Sequence, residues 1–179
     1  MKILVAYDAS PSSETALDNL QRAGLPDDAK ALLVCAGPDA KNQKIELNLH
    51  TEAACNRIQS QFPQWEISSE TLTGVPAEAI LKASKWFRPD LLVIGAEAFP
   101  SEHARTANVG LDLAHQARCS VRLVRARKTD MPSPIRLVIG NSGSKACEAV
   151  IHEVASRRWP AETDAHLITL IDLASSHDD

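Results

Sequence analysis

The chain has 179 residues, of which 44% are hydrophobic, 23% charged and only 4% aromatic, and its formal net charge is -4. This length suits one domain plus part of another, and the composition is that of an ordinary globular protein rich in aliphatic residues. The acidic balance disfavours a nucleic-acid partner, because binding to phosphates needs a clustered basic surface.

The apolar runs and the cysteine spacing of the chain indicate in which compartment we expect the protein. No apolar run approaches the roughly 20 residues of a membrane-spanning helix, and the opening MKILVAYDAS lacks the pattern of a secretory signal. The four cysteines show no CxxC spacing, which favours reduced thiols over metal ligands or disulfides. We therefore expect a cytoplasmic protein with no membrane contact.

The first part of the chain predicts five strands that alternate with four helices. The predicted strands are residues 2–7, 30–36, 66–72, 90–95 and 119–125, and the predicted helices follow Ser10, span about 42–61, follow Gly74 and lie near 105–117. Ser10 is a favoured N-cap, Pro11 suits the first helical position, and Gly24 is expected to end that helix. Such alternation predicts an open parallel α/β sheet that is covered by helices on both faces.

Residues 136–171 repeat the opening of the chain, residues 3–36. At one offset Leu4, Val5, Asp8, Ala16 and Leu17 match Leu137, Val138, Asn141, Ala149 and Val150, and after a slip of one residue Pro26, Ala31 and Leu33 match Pro160, Ala165 and Leu167. The second copy predicts only a strand at 135–140, a helix near 143–158 and a strand at 165–171. We divide the chain into a domain at 1–127, a linker with two prolines at 128–134, a partial repeat at 135–172 and a tail at 173–179.

A lone strand–helix–strand unit cannot bury its own apolar faces. Two arrangements would cover the partial repeat: docking on the first domain of the same chain, or completing a sheet with a second chain. We expect a homodimer in which the repeat contributes to the interface.

Three segments of the chain carry motifs in a characteristic order: KILVAYDASPSSETAL, GVPAEAILKASKWFRPDLLVIGA and AHQARCSVRLVR. Together they resemble the universal stress protein family. The first is similar to the family's first strand, Asp-Gly-Ser loop and first helix, the second to its Gly-x-Pro helix and fourth strand, and the third to its last helix and Cys-Ser-Val strand. The resemblance covers residues 1–126 as a full domain and 135–172 as the first third of a second. It implies a sheet in the order 3-2-1-4-5, a ligand crevice at the carboxyl ends of strands 1 and 4, and dimerisation through strand 119–125. Parallel-sheet topology also favours a ligand at that switch point.

The signature of the ATP-binding members, Gly-x-x-Gly, nine residues, then Gly with Ser or Thr, is degenerate in this chain. Gly95 is kept, but Ala98 stands at the second glycine, and Ala107 and Asn108 stand at the final pair after a spacer that is one residue short. Glu97 adds a carboxylate that would repel a triphosphate. Because glycines let backbone N–H groups approach phosphates, we expect this loop to bind ATP poorly.

Asp8 and Cys35 complete the candidate crevice. Asp8 follows the first strand and matches the family's nucleoside-contacting aspartate, but it suits a turn or a helix cap equally well. Cys35, in the second strand, is a candidate lining residue. In the second copy Asn141 takes the place of Asp8, within the glycine-rich stretch 140–144, which is more typical of a strand-to-helix turn than of an anion site.

These patterns favour a non-catalytic cytosolic stress-response protein that acts through dimerisation and contacts with a protein partner, with a degenerate nucleotide crevice, no cofactor and no metal. The alternative is a stress sensor that binds ATP or another adenine nucleotide through Asp8, Gly95 and the loop 97–108. A slow ATP hydrolase is disfavoured, because no general base, metal ligand or catalytic lysine stands out in that loop.

Overall fold

The structure is a computed structural model that describes residues 1–37, 41–96, 109–125 and 134–169, with only the backbone described over 41–47. The chain divides into two compact units. Unit 1 consists of Met1–Gln21 and Pro26–Thr129, and unit 2 consists of Arg22–Leu25 and Asp130–Asp179.

Unit 1 contains a five-stranded parallel sheet in the order β3-β2-β1-β4-β5, which confirms the predicted fold. The strands are β1 (Lys2–Ala6), β2 (Lys30–Gly37), β3 (Glu66–Thr73), β4 (Leu91–Gly95) and β5 (Ser120–Val124), and the helices are α1 (Pro11–Asp18), α2 (Lys41–Gln61), α3 (Pro76–Phe87) and α4 (Val109–Gln116). Of the predicted last helix, residues 105–108 lie outside the described part of the chain.

Alternate residues of the central strands face two different layers, as the two-residue period of a strand requires. Leu4 of β1 and Val34 of β2 belong to a buried cluster that also contains Ile80 and Ala83 of α3. The α1 residues Ser13, Ala16 and Leu17 and the α2 residues Ala54 and Ile58 are also buried. Long apolar runs form β1, β2 and β4 because these strands are covered on both sides.

Helix α1 begins as predicted but ends earlier. The Ser10 side chain accepts a hydrogen bond from the backbone N–H of Ser13, and Pro11 occupies the first helical position. The helix ends at Asp18 and not near Gly24, because Asn19 caps it and a 3-10 turn follows over Leu20–Arg22. The prediction of the helix end was therefore wrong by about one and a half turns, as Gly24 lies beyond the 3-10 turn.

Unit 2 contains the additional strand–helix–strand arrangement that the sequence predicts. Strand β6 (Arg136–Asn141) pairs in parallel with strand β7 (Asp164–Thr169), and helix α5 (Lys145–Ser156) connects them. Within 134–169 every described residue is at least partly exposed. The predicted tail at 173–179 and the predicted linker at 128–134, apart from Pro134, lie outside the described residues.

The described parts of the two units correspond at a single offset of 134 residues, the separation of the two N-caps Ser10 and Ser144 (144 − 10). The same offset relates the registers of the paired strands: Ile3↔Ala31 corresponds to Leu137↔Ala165, and Val5↔Leu33 corresponds to Ile139↔Leu167. That unit 2 is a truncated universal stress domain stays a prediction.

This offset corrects the sequence alignment over the first strand and loop. Ala9 and Gly143, with φ angles of 59° and 73°, occupy equivalent left-handed positions. Asp8 therefore corresponds to Ser142 and not to Asn141. The identical residues of the first strand favour an offset that is one residue smaller than the structural offset. An error of one residue assigns each side chain of a strand to the wrong face of the sheet.

Within the described ranges, no helix is long and apolar enough to cross a membrane.

Candidate functional site

A crevice lies at the carboxyl ends of β1 and β4, where the strand order reverses and where parallel α/β sheets bind ligands. Its volume is about 160 Å³. The crevice is lined by Ala6, Tyr7, Asp8, Ser12, Ser13, Val34, Ala36, Pro76, Ile80, Ile94, Gly95 and Val109.

The structure brings two of the predicted site residues, Asp8 and Gly95, to the same crevice. Cys35 is not among them. It is fully buried between two residues that do line the crevice, so the strand alternation turns its side chain to the opposite face. Burial raises the pKa of the Cys35 thiol, the charge of Asp8 adds to this, and a hydrogen bond with Thr51 of α2 opposes it.

The other four predicted site residues, Glu97, Ala98, Ala107 and Asn108, lie outside the described residues. Their contribution to the crevice stays a prediction.

Asp8 sits in a hydrogen-bonded turn that leads into α1. Its Oδ1 accepts a hydrogen bond from the Ser10 backbone N–H at 3.0 Å, and the Ser13 hydroxyl donates to the Ser10 carbonyl at 3.0 Å. Ala9, between Asp8 and Ser10, has a left-handed backbone conformation, which residues with a Cβ atom rarely adopt. These contacts give Asp8 the structural role of an Asx turn, and a role in ligand binding remains a prediction.

Gly95 has a packing role that requires no ligand. A Cβ atom on Gly95 would lie 2.2 Å from the carbonyl oxygen of Ser12 and 2.6 Å from the backbone nitrogen of Ser13. The first turn of α1 therefore lies directly against the end of β4. Only glycine permits that approach, so Gly95 alone is weak support for a phosphate-binding loop.

Beside the crevice, Tyr7, Glu14 and Arg57 form a network that the sequence did not predict. The Tyr7 hydroxyl donates a hydrogen bond to the Glu14 carboxylate, and Arg57 of α2 forms a 2.6 Å ion pair with the same group. Burial and the bond to Glu14 raise the pKa of Tyr7 well above its usual value. Burial also acts to raise the pKa of Glu14, but the hydrogen bonds from Tyr7 and Arg57 outweigh it and lower that pKa. No spacing signal could have linked Glu14 to Arg57, which belongs to a different helix 43 residues further on.

Asp8 is the one charged residue in the described lining, and the rest is apolar or carries hydroxyl groups. A phosphate group binds best to Arg, Lys or a set of backbone N–H groups. The described wall therefore offers a phosphate no cationic side chain, and its backbone N–H groups near the start of α1 are those of Ser12 and Ser13. The described residues also contain no cluster of three or more His, Cys, Asp or Glu side chains that could hold a metal ion.

Comparison with protein families accounts for this architecture. The sequence model of the universal stress protein family matches residues 1–125. The chain belongs to the universal stress protein family. Comparison with curated proteins finds no match.

Solved structures share the fold at low sequence identity. A universal stress protein from Archaeoglobus fulgidus is 15% identical with a TM-score of 0.68, and the match covers 98% of this chain and 68% of that one. A universal stress protein in complex with cAMP is 17% identical with a TM-score of 0.57, over 69% of this chain and 96% of that one. A family member from Arabidopsis thaliana with AMP bound is 22% identical with a TM-score of 0.54, over 74% and 97%.

Proposed function

We propose that this universal stress protein is a non-catalytic, cytoplasmic stress-response protein that acts by associating with a second copy of itself and, through that dimer, with protein partners. One observation carries the proposal. Unit 2 exposes apolar side chains whose counterparts in unit 1 form the core.

The matched positions make the contrast quantitative. Leu4 is 0% exposed and its counterpart Val138 is 68% exposed, while Val34 is 0% exposed and its counterpart Ile168 is 49% exposed. Full burial of an aliphatic side chain contributes about 1.5–3 kcal/mol, so covering Val138 and Ile168 would contribute about 2–3 kcal/mol per chain. This gain favours association of unit 2 with another surface.

The edge strand β5 offers a second surface for the same dimer. It ends the sheet of unit 1, and its Leu123 side chain is 38% exposed. An unpaired sheet edge presents backbone N–H and C=O groups that pair readily with another chain. We therefore include both β5 and unit 2 in the proposed homodimer.

The crevice supports a role without catalysis. Its described lining contains the hydroxyl groups of Ser12 and Ser13, but no histidine or lysine that could activate them. A nucleophile without a general base within hydrogen-bonding distance is a weak candidate for covalent catalysis.

Sedimentation equilibrium of the full chain over a wide range of concentration tests the proposal. We expect a dimer that dissociates into monomers on dilution. The variant Leu123→Lys should raise the dissociation constant of this dimer if β5 belongs to the interface. A chain that stays monomeric at the highest concentrations would contradict self-association.

A second candidate function, binding of an adenine nucleotide, is favoured by the position of Asp8 in a crevice at the switch point. Relatives with the same fold have been solved with cAMP and with AMP.

Calorimetric titration with AMP, cAMP and ATP with magnesium tests this second candidate. We expect AMP to bind at least as tightly as ATP, because the described wall presents no cation to the additional phosphates. The variant Asp8→Asn should weaken binding, whereas Asp28→Asn, at an exposed position, should not. Binding of ATP that is tenfold tighter than binding of AMP would show that the loop 97–108 holds phosphates after all.

A further inference from the structure

Unit 2 has one sheet face that no helix in the described part of the chain covers. Leu137, Ile139 and Ala165 line a groove together with residues of α5, so they face the helix. The residues between them face the other way. We call this other side the open face, and its residues are Arg136, Val138 and Gly140 of β6 and Asp164, His166 and Ile168 of β7.

We propose that the open faces of two copies of the chain stack on each other, related by a two-fold axis parallel to the strands. The inference rests on the self-association proposed above and adds its geometry. The resulting interface is a sandwich of two β6–β7 sheets with a helix α5 on each outer side.

The repeat shows what kind of surface must cover the open face. In unit 1 the equivalent face of β1 and β2 carries Leu4 and Val34, which pack with Ile80 and Ala83 of α3. In unit 2 the equivalent residues Val138 and Ile168 are 68% and 49% exposed. The cover must therefore shield these two apolar side chains from water, and a second open face can do so while its charges meet those of the first.

Charge decides how the two faces are oriented. Arg136 and Asp164 are paired in register at the same level of the sheet. A two-fold axis parallel to the strands places β6 of one copy over β7 of the other, so that each Arg136 lies over an Asp164. A two-fold axis that runs across the strands in the plane of the interface would instead place β6 over β6 and β7 over β7 in opposite directions. Arg136 would then lie over Gly140, and Asp164 over Ile168. The first orientation alone gives each charge an opposite charge across the interface.

Side-chain size agrees with the same orientation. Gly140 and Ile168 are also paired in register, so each Ile168 lies over a Gly140 of the other copy. A Cβ atom on Gly140 would meet nothing within 4 Å in the single chain, so an Ile168 side chain has room there. A small residue opposite a large one lets two sheets interdigitate.

His166 fits between these contacts. Its Nε2 lies 2.8 Å from Asp164 Oδ2, which holds the polar end of the ring at the carboxylate. The carboxylate has two oxygens and can accept from His166 within the chain and from Arg136 across the interface. The ring itself then lies over Val138 of the other copy.

Two charge-reversal variants of the full chain, Arg136→Asp and Asp164→Arg, test the arrangement by sedimentation equilibrium. Each variant alone would place like charges over each other, and we expect at least tenfold weaker dimerisation than in the wild type. In an equal mixture every facing pair is opposite in charge, so we expect a heterodimer of near wild-type affinity. Within one chain, residues 136 and 164 of a variant carry the same charges whether the variant is measured alone or in the mixture. Dimerisation that is restored on mixing therefore reports contacts between chains only.

The outcomes separate this inference from the proposed function. If the wild type dimerises and both variants do so equally well, the stacking is wrong and self-association stands. If the variants weaken dimerisation but the mixture does not restore it, the two-fold orientation is wrong. If the wild type is monomeric, as it would be with unit 2 covered by unit 1 of the same chain, both proposals are contradicted.

Discussion

Replacing Gly95 by alanine tests whether this residue serves packing or ligand binding. The added Cβ atom would lie 2.2 Å from the Ser12 carbonyl oxygen and 2.3 Å from the Ser12 carbonyl carbon. Both atoms belong to the backbone, so no rotation of a side chain can relieve the contact. The first turn of α1 must move away from β4 by about 1 Å to restore an ordinary separation.

The cost follows from what that movement disturbs. Overpacking by one methyl group costs about 1–3 kcal/mol. The turn that would move carries the Ser10 N-cap, whose loss costs about 1 kcal/mol by itself. We therefore expect a loss near 3 kcal/mol, which lowers the Tm of a chain of this length by roughly 6–12 °C.

Thermal unfolding followed by circular dichroism measures this loss, with Gly140→Ala as the control for an added methyl group. At Gly140 a Cβ atom meets nothing within 4 Å, so its variant should unfold within about 2 °C of the wild type at a dilution where the chain is monomeric. A Gly95→Ala protein with unchanged stability and lost nucleotide binding would refute the packing argument and assign Gly95 to the ligand.

Two further predictions concern ionisable groups. Because the folded state lowers the pKa of Glu14 from its usual 4.5, the stabilisation is present above that pH and is lost as the pH falls through the folded pKa. Glu14→Gln should therefore be less stable than the wild type by about 0.5–1 kcal/mol at neutral pH and equally stable in strong acid, measured by urea unfolding. A difference that persists in acid would contradict the Glu14 charge, held by Tyr7 and Arg57, as its source. Hydrogen bonds from the Ser142 and Ser144 hydroxyls lower the pKa of the Cys147 thiol to about 7, whereas burial raises those of the other three cysteines. Mass spectrometry should find Cys147 alkylated first at neutral pH and more slowly in Ser142→Ala; equal rates at all four thiols would show that the turn does not activate Cys147.

The parallel sheet could be read from the sequence because each central strand is a short apolar run and each connection is helical, whereas the strand order 3-2-1-4-5 was implied by the resemblance to the universal stress protein family. The N-cap at Ser10 could be read because its side chain acts within three residues. The position of the crevice follows from the topology alone. These features depend on local chemistry or on general rules of parallel sheets.

Other features depend on contacts between distant segments. The sequence shows that residue 95 is glycine, but not that the Ser12 carbonyl lies where its Cβ would be. The end of α1 at Asp18 reflects a 3-10 turn that still buries Leu20, so the apolar pattern continued past the helix. The sequence placed Cys35 in a strand, but only the structure shows that Val34 and Ala36, and not Cys35, are the β2 residues that line the crevice.

The correspondence between the two units also has a consequence for folding. The pair β1–β2 and the pair β6–β7 have the same register, so the chain contains two similar platforms on which α3 could pack. The platforms differ in their side chains, because His166 and Gly140 stand where the buried face of unit 1 has Leu32 and Ala6. The more apolar platform in unit 1 therefore offers α3 the larger gain on burial, which lets the folding chain choose between two strand pairs of equal geometry.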